Sequence, residues 1–160
     1  MPTLPQLIEE DIRQLDRDLK ELLASSEGSI ALIIDKGGFL ITHMGESEGF
    51  ELTTIAALAS GAYMANQTIA NLVHEDNFSS VYQQGANFSV FVSNVDENCL
   101  LVVIFQASVS VGAVKYYAIA TGARVARQLK IARQRDPGAG LDLSVMNLSD
   151  PSEVFRKKQA

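Results

Sequence analysis

Residues 99–105 read Cys-Leu-Leu-Val-Val-Ile-Phe, an unbroken run of apolar side chains that follows the turn residues Asp96-Glu97-Asn98. Successive side chains of a strand point to opposite faces of its sheet, so such a run is apolar throughout only where both faces are covered. We therefore predict a central strand with helices packed on both sides. A buried helical segment is the alternative, but the run is short and rich in β-branched and aromatic residues, which favours a strand.

Helix and strand patterns surround this run. Apolar residues at spacings of three and four predict helices, and short apolar stretches bounded by turn residues predict strands. The stripe of the first helix consists of Ile8, Ile12, Leu15, Leu19 and Leu22, and that of the third consists of Val111, Val114, Ala118, Thr121, Val125, Leu129 and Ala132. The expected helices span Leu4–Leu23, Glu51–Val73 and Ser110–Arg135, and the expected strands span Ser29–Ile34, Phe39–His43, Phe78–Gln83, Phe88–Val95 and Cys99–Phe105. The predicted fold is an α/β sandwich in the order α-β-β-α-β-β-β-α, with one five-stranded antiparallel sheet and helices on both faces.

The domain organisation follows from length and from a change in composition near the end of the chain. A chain of 160 residues has room for one domain with a substantial core. Pro, Gly, Ser and Asp become frequent after Arg135, and such a composition disfavours a packed core. We predict one domain at 1–135 and a flexible C-terminal tail at 136–160, with a candidate helical turn at 149–155.

The distribution of charge along the chain argues against a nucleic-acid-binding protein. The formal net charge is −6, and no Lys or Arg occurs between Lys36 and Lys115. The middle of the chain offers no cations that could follow a phosphate backbone, so we expect no nucleic-acid partner. Basic residues gather at 115–135 and 156–158, which we interpret as a solvated helix face and a solubilising tail. Nucleic-acid or membrane binding through them is the less favoured alternative.

The compartment is predicted from two further features. The single cysteine, Cys99, lies in the apolar run and is typical of a small core residue in a reducing compartment. The sequence does not open with a basic segment followed by an apolar run, and no apolar stretch reaches the about 18 residues needed to span a bilayer. We expect a cytoplasmic protein that does not insert into membranes.

A search for catalytic and cofactor motifs finds none. The sequence has no Gly-x-x-x-x-Gly-Lys-Ser/Thr phosphate loop and no Gly-x-Gly-x-x-Gly. His43 and His74 are the only histidines and have no neighbouring ligand pattern. Glu75-Asp76 falls in a polar loop, where solvation accounts for it. We therefore expect that the protein is not an enzyme and that it has no catalytic residues, no metal and no cofactor.

The second helix is unusual because it carries no charge from Leu52 to Val73. One apolar stripe, expected to pack on the sheet, consists of Leu58, Ala62, Ala65, Ile69 and Val73. A neighbouring face of small, weakly polar residues consists of Ala57, Gly61, Met64 and Thr68. Because an exposed helix face ordinarily carries charges, we infer that another protein covers this second face. The alternative is a helix wholly buried in its own domain.

The order of elements, together with several stretches, resembles the roadblock/dynein light chain family and, within it, the bacterial regulators of gliding motility. The stretches that carry the resemblance are Ile34–Ile41, Leu52–Thr54 with Ala56 and Gly61, Ile69–Leu72, Gln84–Ala86, Leu101–Phe105 and Ser110–Val114. Together they span most of residues 1–135. The tail is similar as well, through Pro137–Gly140 and residues 148–155.

The resemblance implies a homodimer whose second helices lie side by side and form a platform for a small Ras-like GTPase of the MglA type. It implies a regulator that stimulates GTP hydrolysis by its partner in bacterial cell polarity and motility. The partner-binding residues implied are Ala57, Gly61, Met64, Ala65 and Thr68, with Val154 and Phe155 in the tail. A roadblock-type scaffold or sensory module that dimerises without activating a GTPase is the alternative.

The positions of the arginines bear on how such activation would work. The sequence has no arginine from Leu19 to Ala123, and by resemblance the first and third helices lie on the sheet face away from the platform. We therefore expect activation without an arginine finger, through the partner's own switch residues. The sequence leaves open whether the protein activates the GTPase, exchanges its nucleotide or only binds it.

Overall fold

Three helices and five strands make up residues 4–135, the part of the chain that the computed structural model describes. The helices are α1 (Glu9–Ser26), α2 (Leu52–Leu72) and α3 (Val111–Gln134). The strands are β1 (Ile30–Asp35), β2 (Leu40–Gly45), β3 (Ser80–Gln84), β4 (Phe88–Asn94) and β5 (Cys99–Gln106). Their order along the chain is the predicted one.

The strands form one antiparallel sheet in the order β2-β1-β5-β4-β3. Strand β5 is central, pairing with β1 through Ile30 opposite Ile104 and with β4 through Val90 opposite Ile104. The prediction of a five-stranded sheet with a central strand at 99–105 is confirmed.

Both faces of β5 are covered, which explains its apolar run. The side chains facing one layer are Cys99, Leu101, Val103 and Phe105, and those facing the other are Leu100, Val102 and Ile104. All are buried. Burying each large apolar side chain contributes about 1.5–3 kcal/mol relative to leaving it exposed, so this strand is a main source of the stability of the domain.

Helices α1 and α3 cover one face of the sheet, and α2 covers the other. The stripe of α1 places Leu15, Leu19 and Leu22 in the first layer, and α3 adds Val114, Ala118, Val125 and Leu129. These stripes were predicted from the sequence and are confirmed. Most charged residues of both helices face outward, as in ordinary amphipathic helices, whereas Asp11 and Asp18 of α1 are buried.

Helix α1 begins later than predicted, at Glu9 instead of Leu4. The backbone N–H of Ile8 donates to Asp11 Oδ2 at 2.9 Å, so the Asp11 carboxylate satisfies an N–H that the helix start leaves without a partner. Leu4 and Leu7 still pack against the core from outside the helix. The apolar spacing therefore extends beyond the helix itself.

The predicted turn between β1 and β2 brings the chain close to α2. Gly38 has φ +98°, and a Cβ placed there would lie 3.2 Å from the Cα of Ala57. Glycine is suited to this position by both the positive φ and the close approach of another backbone. The turn therefore lies directly against the N-terminal half of α2.

The predicted tail at 136–160, including Val154 and Phe155, lies outside the described residues. Within residues 4–135, no helix combines the length and the apolar character required to cross a bilayer.

Candidate protein-binding surface

Helix α2 packs on the sheet through Leu52, Ala56, Ser60, Tyr63 and Ala70, all of which are buried. The two polar members have hydrogen-bond partners. Ser60 Oγ donates to the carbonyl oxygen of Lys36, and the Tyr63 hydroxyl donates to the carbonyl oxygen of Phe78 at 3.0 Å. Because buried polar groups are tolerated when they are paired, this side of α2 can face the core despite its hydroxyl groups.

The apolar stripe predicted to pack on the sheet was assigned to the wrong side of α2. Leu58 is 68% exposed, and Ala62, Ala65, Ile69 and Val73 are exposed as well. The assignment was wrong because a helix without charges has no side marked as the solvent side, so larger apolar residues resemble core positions. The side of α2 that packs on the sheet instead contains Ser60 and Tyr63.

The α2 residues predicted to bind a protein partner all lie on the exposed part of the helix. Ala57, Gly61, Met64, Ala65 and Thr68 are exposed, and Met64 keeps 49% of its surface open. A Cβ placed at Gly61 would meet no atom within 4 Å. The alternative that α2 is wholly buried in its own domain is therefore wrong.

Larger apolar side chains extend this face beyond the predicted set. We call the combined area the α2 surface and define it as Ala57, Leu58, Gly61, Met64, Ala65, Thr68, Ile69 and Leu72. Leu72 is 75% exposed. Scattered exposed apolar residues are ordinary, but a contiguous uncharged face of this kind is a candidate interaction site.

Phe39 adds an aromatic ring beside the α2 surface, and the sequence analysis did not identify it. It is 75% exposed and directly follows Gly38, whose backbone approaches Ala57. An aromatic residue immediately after a glycine turn is held at a turn tip, where it has little to pack against. The position of Phe39 directly after the glycine turn is the sequence feature that could have identified it as exposed.

Carboxylates lie at both ends of α2. Glu46, Glu48 and Glu51 precede the helix, and Glu75 and Asp76 follow it, all five exposed. The nearby cation is Lys36, whose Nζ lies 5.8 Å from the centroid of the Tyr63 ring. Burial lowers the pKa of Lys36. The α2 surface is thus uncharged along its length and acidic at its two ends.

The arginines of the described residues lie on the other side of the sheet. Arg13 and Arg17 are on α1, Arg124, Arg127 and Arg133 are on α3, and Arg135 directly follows α3. Several are engaged in ion pairs, including Arg124 with Asp18 at 3.5 Å and Arg133 with Asp96 at 3.3 Å. The α2 surface is therefore separated from most of these guanidinium groups by the sheet, whereas Arg133 reaches an open cleft at one end of the sheet that Tyr63 of α2 also lines.

An open polar cleft lies at one end of the sheet, but its groups do not form a reactive set. Its volume is about 570 Å³, and it is lined by Lys36, Tyr63, Asp96, Glu97 and Arg133 among others. The Arg133–Asp96 pair already joins two of the charges. Within residues 4–135, no three side chains of the metal-binding types come together.

Comparisons with known proteins agree with this architecture. The sequence profile of the Roadblock/LC7 domain matches residues 14–105, more than half of the chain. No curated protein sequence matches significantly.

Solved structures provide further likenesses. A structure described as "MglB with tetrameric arrangement" has a TM-score of 0.77 and 26% identity, over 82% of this chain and 99% of that one. The gliding protein MglB from Thermus thermophilus has a TM-score of 0.75 and 26% identity, over the same shares. MglB from Myxococcus xanthus shares the fold, with a TM-score of 0.75 and 23% identity over 81% of this chain and 98% of that one. With its matched profile, its sheet order and its helices on both faces, this chain belongs to the Roadblock/LC7 family.

Proposed function

We propose that this protein is a cytoplasmic, homodimeric, non-enzymatic regulator of a small Ras-like GTPase. The observation that carries the proposal is the α2 surface, an uncharged apolar face left open on a single chain. Proteins of the Roadblock/LC7 family are regulators and scaffolds, which supports a non-enzymatic role.

The α2 surface is large enough to hold two copies together. The helix has 21 residues and is about 30 Å long at 1.5 Å per residue. A stable interface buries about 1,200–2,000 Å² in total, or about half of that on each partner. Two such helices side by side, with the exposed Phe39 rings beside them, supply an apolar centre for an interface of that size. Leu58, Met64 and Leu72 are its largest members.

The GTPase partner is proposed from resemblance. The two similar solved structures at 26% identity are both named MglB, and one is described as a gliding protein. We infer a partner of the MglA type and a role in bacterial cell polarity and gliding motility. Paired α2 surfaces would form a platform at which Ala57, Gly61, Met64, Ala65 and Thr68 contact the dimer mate or the GTPase, with Val154 and Phe155 of the tail adding contacts to the GTPase.

Activation would proceed without an arginine finger. A finger inserted from a regulator contributes about a thousandfold to a hundred-thousandfold in rate by stabilising charge on the phosphates. The described arginines lie on α1 and on or next to α3. Of these, Arg133 reaches the cleft at one end of the sheet, where it pairs with Asp96, and the others lie across the sheet from the α2 surface. The regulator would instead bind preferentially the GTPase conformation in which the partner's own switch residues complete its active site.

The test uses the Ras-like GTPase encoded in the same genome, loaded with a non-hydrolysable GTP analogue or with GDP. We expect the full-length protein to retain the GTP form in a pull-down, to run as a dimer in light scattering, and to accelerate single-turnover GTP hydrolysis. Binding that is absent with both nucleotides would contradict the proposal.

A roadblock-type scaffold or sensory dimerisation module is the second candidate, because the α2 surface alone accounts for a dimer. The same experiment separates the two functions. A dimer that binds the GTPase without changing hydrolysis or nucleotide release supports the scaffold. A dimer that accelerates hydrolysis supports the activator.

A further inference from the structure

A groove lies on the α1 and α3 side of the sheet, opposite the α2 surface. It runs between α3 and the strands β3 and β4, and its volume is about 260 Å³. Its helix wall consists of Lys115, Ala118, Ile119, Gly122 and Ala123, and Ser80, Ser93 and Val95 belong to its strand wall. The groove exists because α3 packs over β4 and β5, whereas β3 lies at the edge of the sheet.

The helix wall is built from small residues that leave space unfilled. Gly122 is itself buried, yet a Cβ placed on it would meet no atom within 4 Å. Ala118 beside it is fully buried, and Ile119 at the rim is 58% exposed. A mid-helix glycine costs about 1 kcal/mol relative to alanine. In this domain no neighbouring side chain occupies the space that the glycine creates.

The two walls differ in chemistry. The helix wall is apolar apart from Lys115, whereas the strand wall presents the hydroxyl groups of Ser80 and Ser93. An extended peptide has both kinds of groups, since alternate side chains point to one face while its backbone N–H and C=O groups need hydrogen-bond partners. The groove therefore fits an extended segment with apolar residues at every second position.

Such a segment follows α3 in the sequence. Leu141, Leu143 and Val145 alternate with Asp142 and Ser144. This spacing puts three apolar side chains on one face of an extended chain and two polar ones on the other. The pattern is that of a half-buried strand and differs from the Gly- and Pro-rich residues immediately before it.

The length of chain between α3 and this segment matches the position of the groove. The near end of the groove is at Ala123, twelve residues before Arg135 and therefore about 18 Å along the helix axis at 1.5 Å per residue. Six Cα–Cα steps separate Arg135 from Leu141, and they span at most about 20–22 Å when extended. Residue 141 consequently reaches the near end when the chain turns back along α3.

We propose that residues 141–145 occupy this groove in their own chain, running antiparallel to α3, with Leu141, Leu143 and Val145 against the helix wall. Attachment through a five-residue linker gives the segment an effective concentration in the millimolar range, so even a weak contact is populated. The proposal does not depend on the proposed function. In place of a wholly flexible tail, it predicts that residues 141–145 are docked. The remaining tail residues would then leave the domain on the α3 side of the sheet.

Amide hydrogen exchange on the full-length protein tests the docking. We expect amides of residues 141–145 to exchange roughly tenfold more slowly than those of a free peptide with the same sequence, because exchange then requires undocking. Exchange at the free-peptide rate would overturn the proposal.

Three variants identify the contact. Gly122→Leu fills the groove from its own helix and should return residues 141–145 to the free-peptide rate. Leu143→Asp, which changes only the tail, should do the same even if Gly122→Leu fails to fold. Ala120→Leu adds the same side chain to an exposed position of α3 that does not line the groove, and it should leave the slow exchange unchanged. Slow exchange that persists in Leu143→Asp would contradict the proposal.

Dilution separates docking within one chain from docking between copies. Protection that is independent of protein concentration, including concentrations at which light scattering gives a monomer, supports the chain's own segment as the occupant. Protection that disappears on dilution to the monomer would assign the groove to the tail of a second copy and overturn the proposal.

Discussion

Arg135 holds Asp11 in a bidentate pair, with Nη1 donating to Oδ2 at 2.7 Å and Nη2 donating to Oδ1 at 2.9 Å. Asp11 is fully buried and also accepts from Gln128 Nε2 at 2.7 Å. The carboxylate lies near the start of α1, and Arg135 directly follows α3. The pair therefore ties the first helix to the end of the third and fixes where the chain leaves the domain.

Replacing Asp11 with Asn should destabilise the domain by about 2 kcal/mol at neutral pH. The hydrogen bonds from Arg135 lower the pKa of Asp11 to about 2, below its ordinary value of 3.8. A tenfold change in the acid dissociation constant between the unfolded and folded states corresponds to about 1.4 kcal/mol of stability. Because the folded-state pKa is the lower one, this stabilisation is complete above about pH 4 and is lost as the pH falls toward 2.

Urea unfolding at pH 7 and pH 3 checks this expectation. The difference in unfolding free energy between the wild type and Asp11→Asn should be smaller at pH 3. Glu97→Gln, at an exposed position, serves as the control and should change stability by less than about 0.5 kcal/mol. An equal cost of Asp11→Asn at both pH values would contradict the assignment.

Gly61→Arg should prevent association through the α2 surface without unfolding the domain. The position is open to solvent in the single chain, but in an interface it would bury a long charged side chain without a partner, which costs several kcal/mol. Light scattering and the GTPase pull-down measure the effect, and circular dichroism checks the fold. Ala120→Arg on the exposed side of α3 is the matched control and should retain both the dimer and binding.

Single Arg→Ala substitutions should leave GTPase activation within about an order of magnitude of the wild type, far less than the thousandfold loss expected for an arginine finger. The positions to test are Arg13, Arg17, Arg124, Arg127, Arg133 and Arg135. Single-turnover GTP hydrolysis at saturating regulator gives the rate, and a parallel binding assay separates affinity from catalysis. One variant that binds normally yet loses a thousandfold in rate would reveal a finger.

Glu27→Gly should stabilise the domain by about 0.5–1 kcal/mol, because glycine is unfavourable inside a helix but favoured at a left-handed position that ends one. Glu27 ends α1 with φ 61°, and its N–H donates to the carbonyl oxygen of Leu23 at 3.1 Å. Glycine adopts this left-handed conformation without the steric cost of a Cβ. Thermal unfolding measures the change. The comparison variant Lys20→Gly, within α1 and exposed, should instead lose about 1 kcal/mol.

Cys99 should resist alkylation in the folded protein. Burial, reinforced by the Asp96 carboxylate, raises the pKa of its thiol to about 12, and the thiolate is the reactive form. Iodoacetamide at pH 8 should modify it only as fast as the domain opens, whereas urea-unfolded protein should react at the rate of a free thiol. Rapid labelling of the native protein would show that β5 is more accessible than its burial indicates.

The fold was predictable because charge marks the outside of α1 and α3 and because both faces of β5 are apolar. The stripe residues Leu15, Leu19 and Val125 were placed correctly, since charged residues flank them on the opposite side of each helix. Asp11 at the start of α1 was harder to interpret. Its carboxylate accepts a hydrogen bond from the backbone N–H of Ile8, and the helix begins at Glu9. The position of the helix start therefore depends on a single side chain and not on the spacing of apolar residues.

The α2 surface was only partly predictable. The absence of charge indicated a covered face, and Gly61 and Met64 do lie on the exposed side. The orientation of the helix could not be read from the sequence, because it depends on hydrogen bonds made by Ser60 and Tyr63 to backbone carbonyl oxygens far along the chain. Those contacts exist only once the turn before β2 and the segment before β3 have reached their places.

The carboxylates at both ends of α2 would make the proposed association through this helix sensitive to salt in two opposite directions. Glu51 precedes the helix and Glu75 follows it, so two copies of α2 laid side by side bring acidic ends together whether they run parallel or antiparallel. Dissolved ions screen that repulsion, and higher ionic strength therefore favours self-association across α2. A partner that docks with basic residues over the same acidic ends gains attraction that salt weakens. Higher ionic strength would thus favour the proposed dimer and weaken the attachment of a basic partner to it.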